Sequence, residues 1–275
     1  MRSDVKMMMS DDAALPNAGE KQAIAAAFGR AAKHYDKAAE FQRLVGHRLL
    51  CQLPAASVAG SQILDLGCGT GYFSDQLTQR GLRVCAADLS VSMLEQAQRR
   101  CGNRVQYLQA DAEQLPLEVN QFDMAFSSLA LQWCRDLSVP LRELKRVVKP
   151  GGRILFSTLA DGSLAELKAA WQQVDQYQHV NQFLSPNEIK LALAQAGLPQ
   201  ADLEFSPVTM YYPSAMDLMK DLKGIGATHL QQGRQAGLAG RARLKALEGA
   251  YEAFRTPTGQ LPATYQVCFG VILND

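Results

Sequence analysis

Apolar residues in the first fifth of the chain recur at helical spacing. Ile24, Ala27, Phe28, Ala31, Ala32 and Tyr35 mark one face, and Phe41, Leu44, Val45, Leu49 and Leu50 mark another. The pattern predicts helices from 21 to about 53, with Pro54 closing the second. From Gln62 it changes to short apolar runs at 63–66, 84–87, 105–108, 124–127 and 153–158. Helical segments separate them: 73–79, closed by Gly81; a run capped by Ser90 with Met93, Leu94 and Ala97 on one face; and 141–148, stopped by Pro150-Gly151-Gly152. Alternation of this kind predicts a parallel sheet with helices on both faces.

The pattern after about residue 160 is less regular. Ser163-x-x-Glu166 reads as a capping box in front of Leu164, Leu167, Trp171 and Val174. Ser185-Pro186-Asn187-Glu188 is a stronger helix start, and Gly197 ends that helix. A strand at 208–212, a helix from Ser214-x-x-Asp217, a helix over 241–254 and a final strand over 264–273 follow. Two late strands need a sheet to join. The expected fold is therefore a single α/β domain over 21–275, doubly wound around a mostly parallel seven-stranded sheet, with added helices forming a cap. Residues 1–20 read as a flexible tail, disordered to about Asn17.

The 275 residues are 47% apolar and 20% charged, which excludes a mainly disordered chain. Lys plus Arg total 28 against 27 Asp plus Glu, so no electrostatic footprint for nucleic acid follows. No apolar stretch approaches the ~18 residues of a spanning helix, and the start lacks the apolar core of a secretory signal. No two of the six cysteines have Cys-x-x-Cys spacing, so no zinc or redox motif is expected, and reduced thiols in the cytoplasm are.

Candidate chemistry concentrates at Asp65-Leu66-Gly67-Cys68-Gly69-Thr70-Gly71, directly behind the first strand. Such a turn lets a ligand approach the main chain at the point where open α/β sheets bind nucleotides. Tyr72 replaces the last glycine of a dinucleotide fingerprint, and no P-loop Gly-Lys-Ser/Thr follows. Asp65 would repel a pyrophosphate and suits a cationic ligand. Asp88, ending the second strand, can accept from both hydroxyls of a ribose. Asp111-Ala112, after the third, offers an acceptor for an adenine amino group. Adenosine beside a positive group describes S-adenosylmethionine, its carboxylate facing the helix start.

Here the chain resembles the class I methyltransferases. The residues from Ile63 to Gly71, Ala87-Asp88-Leu89-Ser90 with Met93-Leu94, Ala110-Asp111-Ala112, Phe122-Asp123 and Val148-Lys149-Pro150-Gly151-Gly152 match their motifs in order. The flanks narrow this. The stretch from Gln22 to Ala32 with Tyr35, the run Leu129-Ala130-Leu131-Gln132-Trp133-Cys134, the run from Leu222 to His229 and Ala263-Thr264-Tyr265-Gln266 are similar to the malonyl-acyl-carrier-protein O-methyltransferases of biotin synthesis. The resemblance implies cofactor contacts from Phe28, Tyr35, Asp65, Gly67, Cys68, Gly69, Gly71, Asp88, Leu89, Met93, Asp111, Ala112, Ser127 and Ser128. Ser128 stands where many relatives carry Asn, which shortens its reach. Residues 62–158 would form the cofactor half, with 21–53 and about 160–260 supplying cap and substrate elements.

The family esterifies the free carboxylate of malonyl held by thioester on an acyl carrier protein. A carboxylate with a pKa of about 4 is already a nucleophile, so no general base and no chemically catalytic residue is expected. Catalysis reduces to alignment and exclusion of water. Candidates for gripping the acceptor are Tyr35, Lys223, Thr228, His229 and Tyr265. Phe28 and Tyr35, seven apart, are expected on one helical face as a lid, and Trp133 as packing near the pocket wall. Cys68 is expected to be an apolar filler. The partner is an acidic carrier protein, with no nucleic acid and no membrane. Basic residues in three groups could steer it: Arg30, Lys33, Lys37, Arg43 and Arg48; Arg135, Arg142, Lys145, Arg146 and Lys149; Lys220, Lys223, Arg234, Arg241, Arg243 and Lys245. Alternatives are a carboxyl methyltransferase of the trans-aconitate type and a cofactor-binding scaffold without chemistry. Nucleic-acid methylation lacks an Asn/Asp-Pro-Pro-Tyr-type site.

Overall fold

A computed structural model of the chain describes residues 18–54, 59–227 and 240–275. Strands β1 (Gln62–Leu66), β2 (Arg83–Asp88), β3 (Val105–Gln109), β4 (Phe122–Ser128), β5 (Val148–Ala160), β6 (Asp202–Tyr212) and β7 (Leu261–Leu273) form one sheet in the order β3-β2-β1-β4-β5-β7-β6. The first five pair in parallel, and β7 runs antiparallel between β5 and β6. This is the doubly wound, mostly parallel sheet expected of the pattern. The strand order reverses between β1 and β4, and ligands of such sheets bind beyond the strand ends at that reversal.

Strand alternation divides the core in two. Ile63, Phe126, Leu155 and Val267 face one side, under α3 (Glu40–Leu50), α4 (Tyr72–Gln79) and α5 (Val91–Cys101). The same side carries the cap helices α7 (Ala165–Gln172), α9 (Ala215–Gly224) and α10 (Gly240–Tyr251). Leu64, Leu66, Ala125 and Phe156 face the other, under α6 (Ser138–Val147) and α8 (Pro186–Gln195). Strands covered on both faces read as continuous apolar runs, which is why the sequence marks them clearly. Pro207 is tolerated in β6 because that strand is an edge. Among the described residues no helix is long and apolar enough to cross a membrane.

Four expectations change. The N-terminal segment is three helices: α1 (Ala18–Ala31), which takes in residues 18–20 of the expected tail, α2 (Tyr35–Ala38) and α3. The breaks bring Asp36 to the glycine turn, where Thr70 Oγ1 donates to Oδ1 at 2.7 Å and Arg100 pairs with the other oxygen. Ser163 and Glu166 form no capping box. Ser163 Oγ donates to Ala160 O at 2.8 Å, Glu166 accepts from Thr264 N–H at 3.1 Å, and Leu164 takes the N-cap with φ of 57°. Backbone groups of β7 compete for both side chains and win. Ser90 occupies the N-cap of α5 without a side-chain bond. Pro150-Gly151-Gly152 lies inside β5, beside a register shift, rather than forming a loop after α6. The capping box at Ser185 is present as expected, with Glu188 N–H donating to Ser185 Oγ at 3.3 Å.

Candidate functional site

The turn after β1 is built from three left-handed glycines with different duties. Gly67 (φ 73°) lies where a Cβ would come within 2.2 Å of Ala130 Cβ, and at Gly71 (φ 75°) one would come within 2.8 Å of Ala97 Cβ. These two permit close packing. A Cβ on Gly69 (φ 54°) would meet no atom within 4 Å, so this glycine opens onto empty space. The carboxylate of Asp88 props the turn: Gly69 N–H donates to Oδ2 at 2.9 Å and Ser90 N–H to Oδ1 at 2.8 Å. Desolvation raises the Asp88 pKa, while these backbone donors oppose the rise. Each oxygen retains acceptor capacity for a ligand hydroxyl.

The turn borders a cavity of about 840 Å³, its open mouth included. Ten of the fourteen expected cofactor residues line it: Gly67, Gly69, Asp88, Leu89 and Met93, then Asp111, Ala112, Ser128, Phe28 and Tyr35. The lining carboxylates Asp88, Asp111 and Glu113 face a single lysine, Lys21, and such a wall favours a cationic ligand. Lys21 pairs with both Asp111 and Glu113, pinning α1 over the opening. Neither Lys21 nor Glu113 was expected, although Lys21 lies on the helical face of Ile24 and Phe28. Phe28 meets Trp133 edge to face at 5.1 Å, so Trp133 does pack at the wall. Phe28 and Tyr35 both line the cavity, but from two helices separated by a turn rather than from one helical face.

Asp65, Cys68, Gly71 and Ser127 are not among the lining residues. Asp65 shares the strand face of Ile63, turns under α4, and accepts from Ser74 Oγ at 2.5 Å. Burial pushes its pKa up to about 7, against the Ser74 hydrogen bond and helped by the charge of Asp88. Cys68 is buried in the core, which fits the filler reading, and burial raises its thiol well above the ordinary range. Ser127 Oγ donates to Leu66 O at 2.9 Å and ties β4 to the end of β1.

A second cavity, of about 760 Å³, adjoins the first, and Phe28, Tyr35, Leu129 and Trp133 line both. Desolvation raises the Tyr35 hydroxyl pKa, with Asp88 and Asp36 adding to it. Tyr265 lines the second cavity and stacks on Phe41 with ring centroids 3.9 Å apart. Its hydroxyl hydrogen-bonds Tyr212, which in turn bonds Asp221. The ring therefore shapes the wall while its polar end faces the interior. Lys223 is exposed and does not line the cavity, although its neighbours Leu222 and Ile225 do; the expected clamp role does not fit this position. Thr228 and His229 lie outside the described residues. The side chains of Gln42, Gln132, His179 and Asn181 supply polar groups that motif reading missed. They come from separate segments, and no local pattern joins them. No group of His, Cys, Asp and Glu among the described residues could hold a metal ion.

The methyltransferase domain family matches residues 64–156, the strands and turns that build the first cavity. The chain is 51% identical to the malonyl-[acyl-carrier protein] O-methyltransferase of Serratia marcescens over 93% of this chain and 96% of that one. It is 48% identical to the enzyme of that name from Yersinia pestis, over 93% and 92%. Among solved structures, the YcgJ protein of Bacillus subtilis superposes with a TM-score of 0.59 at 18% identity, covering 84% of this chain and 97% of that one. Phosphoethanolamine N-methyltransferase 2 of Haemonchus contortus, solved with S-adenosyl-L-methionine, gives 0.52 at 22% identity over 82% and 52%. The fold and the acid-lined cavity suit that cofactor, and identity along nearly the whole length decides between branches of the fold: the chain belongs to the malonyl-[acyl-carrier protein] O-methyltransferase family.

Proposed function

We propose that the protein transfers a methyl group from S-adenosylmethionine to the free carboxylate of malonyl-[acyl-carrier protein], giving the methyl ester that primes pimeloyl assembly for biotin. The observation that carries this reading is a pair of cavities with one shared wall, the first lined by acids and the second free of them among the described residues. The first is lined by three carboxylates and a lysine; the second has no acidic lining residue among those described. A cationic donor and an anionic acceptor each find the compatible side.

Asp88 and Asp111 would hold the sugar and base of the cofactor, and Gly69 leaves room for close approach to the main chain. When bound, S-adenosylmethionine would supply an electrophilic methyl group on a sulfonium, and its transfer to the carboxylate oxygen would leave a neutral thioether. Phe28, Tyr35, Leu129 and Trp133 form the shared wall, where they orient the acceptor and exclude water. The carboxylate is ionised at neutral pH, so no side chain need move a proton.

The acidic carrier protein is the proposed partner. Much of the expected basic surface is occupied internally: Arg48 pairs with Glu204, Arg146 with Glu143, Lys149 with Asp123 and Lys220 with Asp217. Arg30, Lys33 and Lys37 remain exposed on α1, the turn after it and α2. The six cysteines are all free, which suits a cytoplasmic setting.

Incubation with labelled cofactor and either malonyl-carrier protein or trans-aconitate tests the reading. Label is expected on the carrier alone. Label on trans-aconitate alone would reassign the acceptor. Growth of a biotin-requiring strain that lacks its own malonyl-carrier methyltransferase gives the second check.

A further inference from the structure

Three spaces lie in series. The first cavity meets the second across Phe28, Tyr35, Leu129 and Trp133. The second meets a surface groove of about 720 Å³ across His179 and Val180. His179 thus stands at the opening farther from the cofactor side. Its position is fixed three ways: Nε2 donates to Asp175 Oδ1 at 2.7 Å, the ring lies flat on Trp171 at 3.6 Å and 10°, and Asp175 itself accepts from Tyr177 N–H at 3.0 Å. With the Nε2 proton engaged, Nδ1 of the neutral ring is the nitrogen left for a ligand, and it accepts a hydrogen bond.

The groove has an unusual lining. Gln172, Gln176, Gln178 and Gln182 contribute four side-chain amides. Three of them are exposed, and Gln178 Nε2 donates to Val180 O at 3.0 Å. The indole Nε1 of Trp171, in a residue 6% exposed, is buried and has no hydrogen-bond partner among the described residues. Asp175, the groove's only acid among the described residues, is engaged by His179 and lies 3.8 Å from Arg243 Nε. Lys168, exposed, also lines the groove.

We propose that this groove admits the flexible arm that carries the acceptor, and that His179 Nδ1 accepts a hydrogen bond from an amide N–H of that arm at the doorway. The proposal rests on the methyl-transfer reading of the two cavities. A carrier-bound acceptor must thread from the surface to the shared wall on an arm that bears amides and ends in a phosphodiester. Glutamines match the amides without adding net charge, and Lys168 matches the phosphodiester. The route also fits the direction of the substrate. Its carboxylate reaches the wall shared with the cofactor cavity, and its thioester lies behind, toward His179.

The test compares wild type, H179Q and K168E with two acceptors: malonyl-carrier protein, and malonyl-N-acetylcysteamine, whose short arm has no phosphate. Loss of one hydrogen bond to the arm should raise the KM of H179Q for both acceptors by about fivefold to tenfold. Its kcat should change less, and its cofactor Kd by calorimetry should stay within about twofold. K168E should raise the ratio of carrier KM to short-acceptor KM by about fivefold. Lys168 is exposed, so K168E decides the matter even if H179Q folds poorly. Wild-type KM values in H179Q, or a wild-type ratio in K168E, would overturn the proposal. Wild-type protein that methylates neither acceptor would overturn the function itself, a result distinct from variants that match an active wild type.

Discussion

The first cavity is walled by Asp88, Asp111, Glu113 and Lys21; the second has no lining acid among the described residues and one imidazole, that of His179. Yet the two share four side chains. The first gathers its acids from the ends of neighbouring parallel strands or the turns just behind them, and Lys21 and Tyr35 join them from α1 and α2. Beyond α1 and α2, its walls among the described residues owe nothing to the cap helices α7, α9 and α10. The second draws its wall from many separate segments, among them α3, the stretch after β4, α7, the loop before α8, α9 and β7. A strand-end site holds a constant ligand by local geometry. A site assembled by the cap can change its acceptor without disturbing the sheet.

That contrast is open to attack by mutation. The largest effect is expected at Asp88. Replacing it with Ala strands the N–H groups of Gly69 and Ser90 and removes the proposed ribose acceptor, so cofactor Kd measured by calorimetry should rise about a hundredfold. At saturating cofactor, the acceptor KM should stay near wild type. A matching loss on the acceptor side would show that the cavities are not separate.

Arg100 tests the shared wall. It pairs with Asp36 and donates to Thr70 O at 3.1 Å, holding α2 and hence Tyr35 against the glycine turn. The pair is partly exposed, so R100A should cost only about threefold to fivefold, but in both cofactor and acceptor KM. An effect on one alone would place Tyr35 in one cavity only.

Asp65 touches neither cavity, and its signature is stability. In the folded protein its pKa is about 7, against an ordinary value of 3.8. Between those pH values the folded state keeps a proton that the unfolded state has released. Stability from this group is therefore present at low pH and is lost as pH rises toward 7. D65N should raise the melting temperature of the ligand-free protein by a few degrees at pH 8, and the gain should shrink toward pH 4. A gain independent of pH would refute this account.

The smallest effect is expected at Cys68. Buried between two glycines with its thiol held neutral, it should tolerate C68A with most activity retained. Lost turnover at normal cofactor affinity would give the thiol a role that the geometry does not.

Reading by motif served the two cavities unequally. Gly69, Asp88 and Asp111 lie in or just behind strand-end turns, where chemistry and backbone demand coincide within a few residues. Asp65 shows the limit of that reasoning: its place in the motif suggested a ligand contact, while the alternation of β1 turns it under α4. Lys223 shows another, since a lysine in a recognisable stretch can still point to solvent.

Apolar runs, glycine turns and strand-end acids were enough to dictate the sheet, its parallel core and the cofactor turn, because each of those depends on neighbours in the chain. Burial of Asp65, failure of the Ser163 cap, the break before Tyr35 and the meeting of Gln132, His179 and Tyr265 around one space depend on residues far apart in the chain. Contacts of that kind are set by which backbone groups compete for a side chain once the cap has folded onto the sheet, and no local period encodes them.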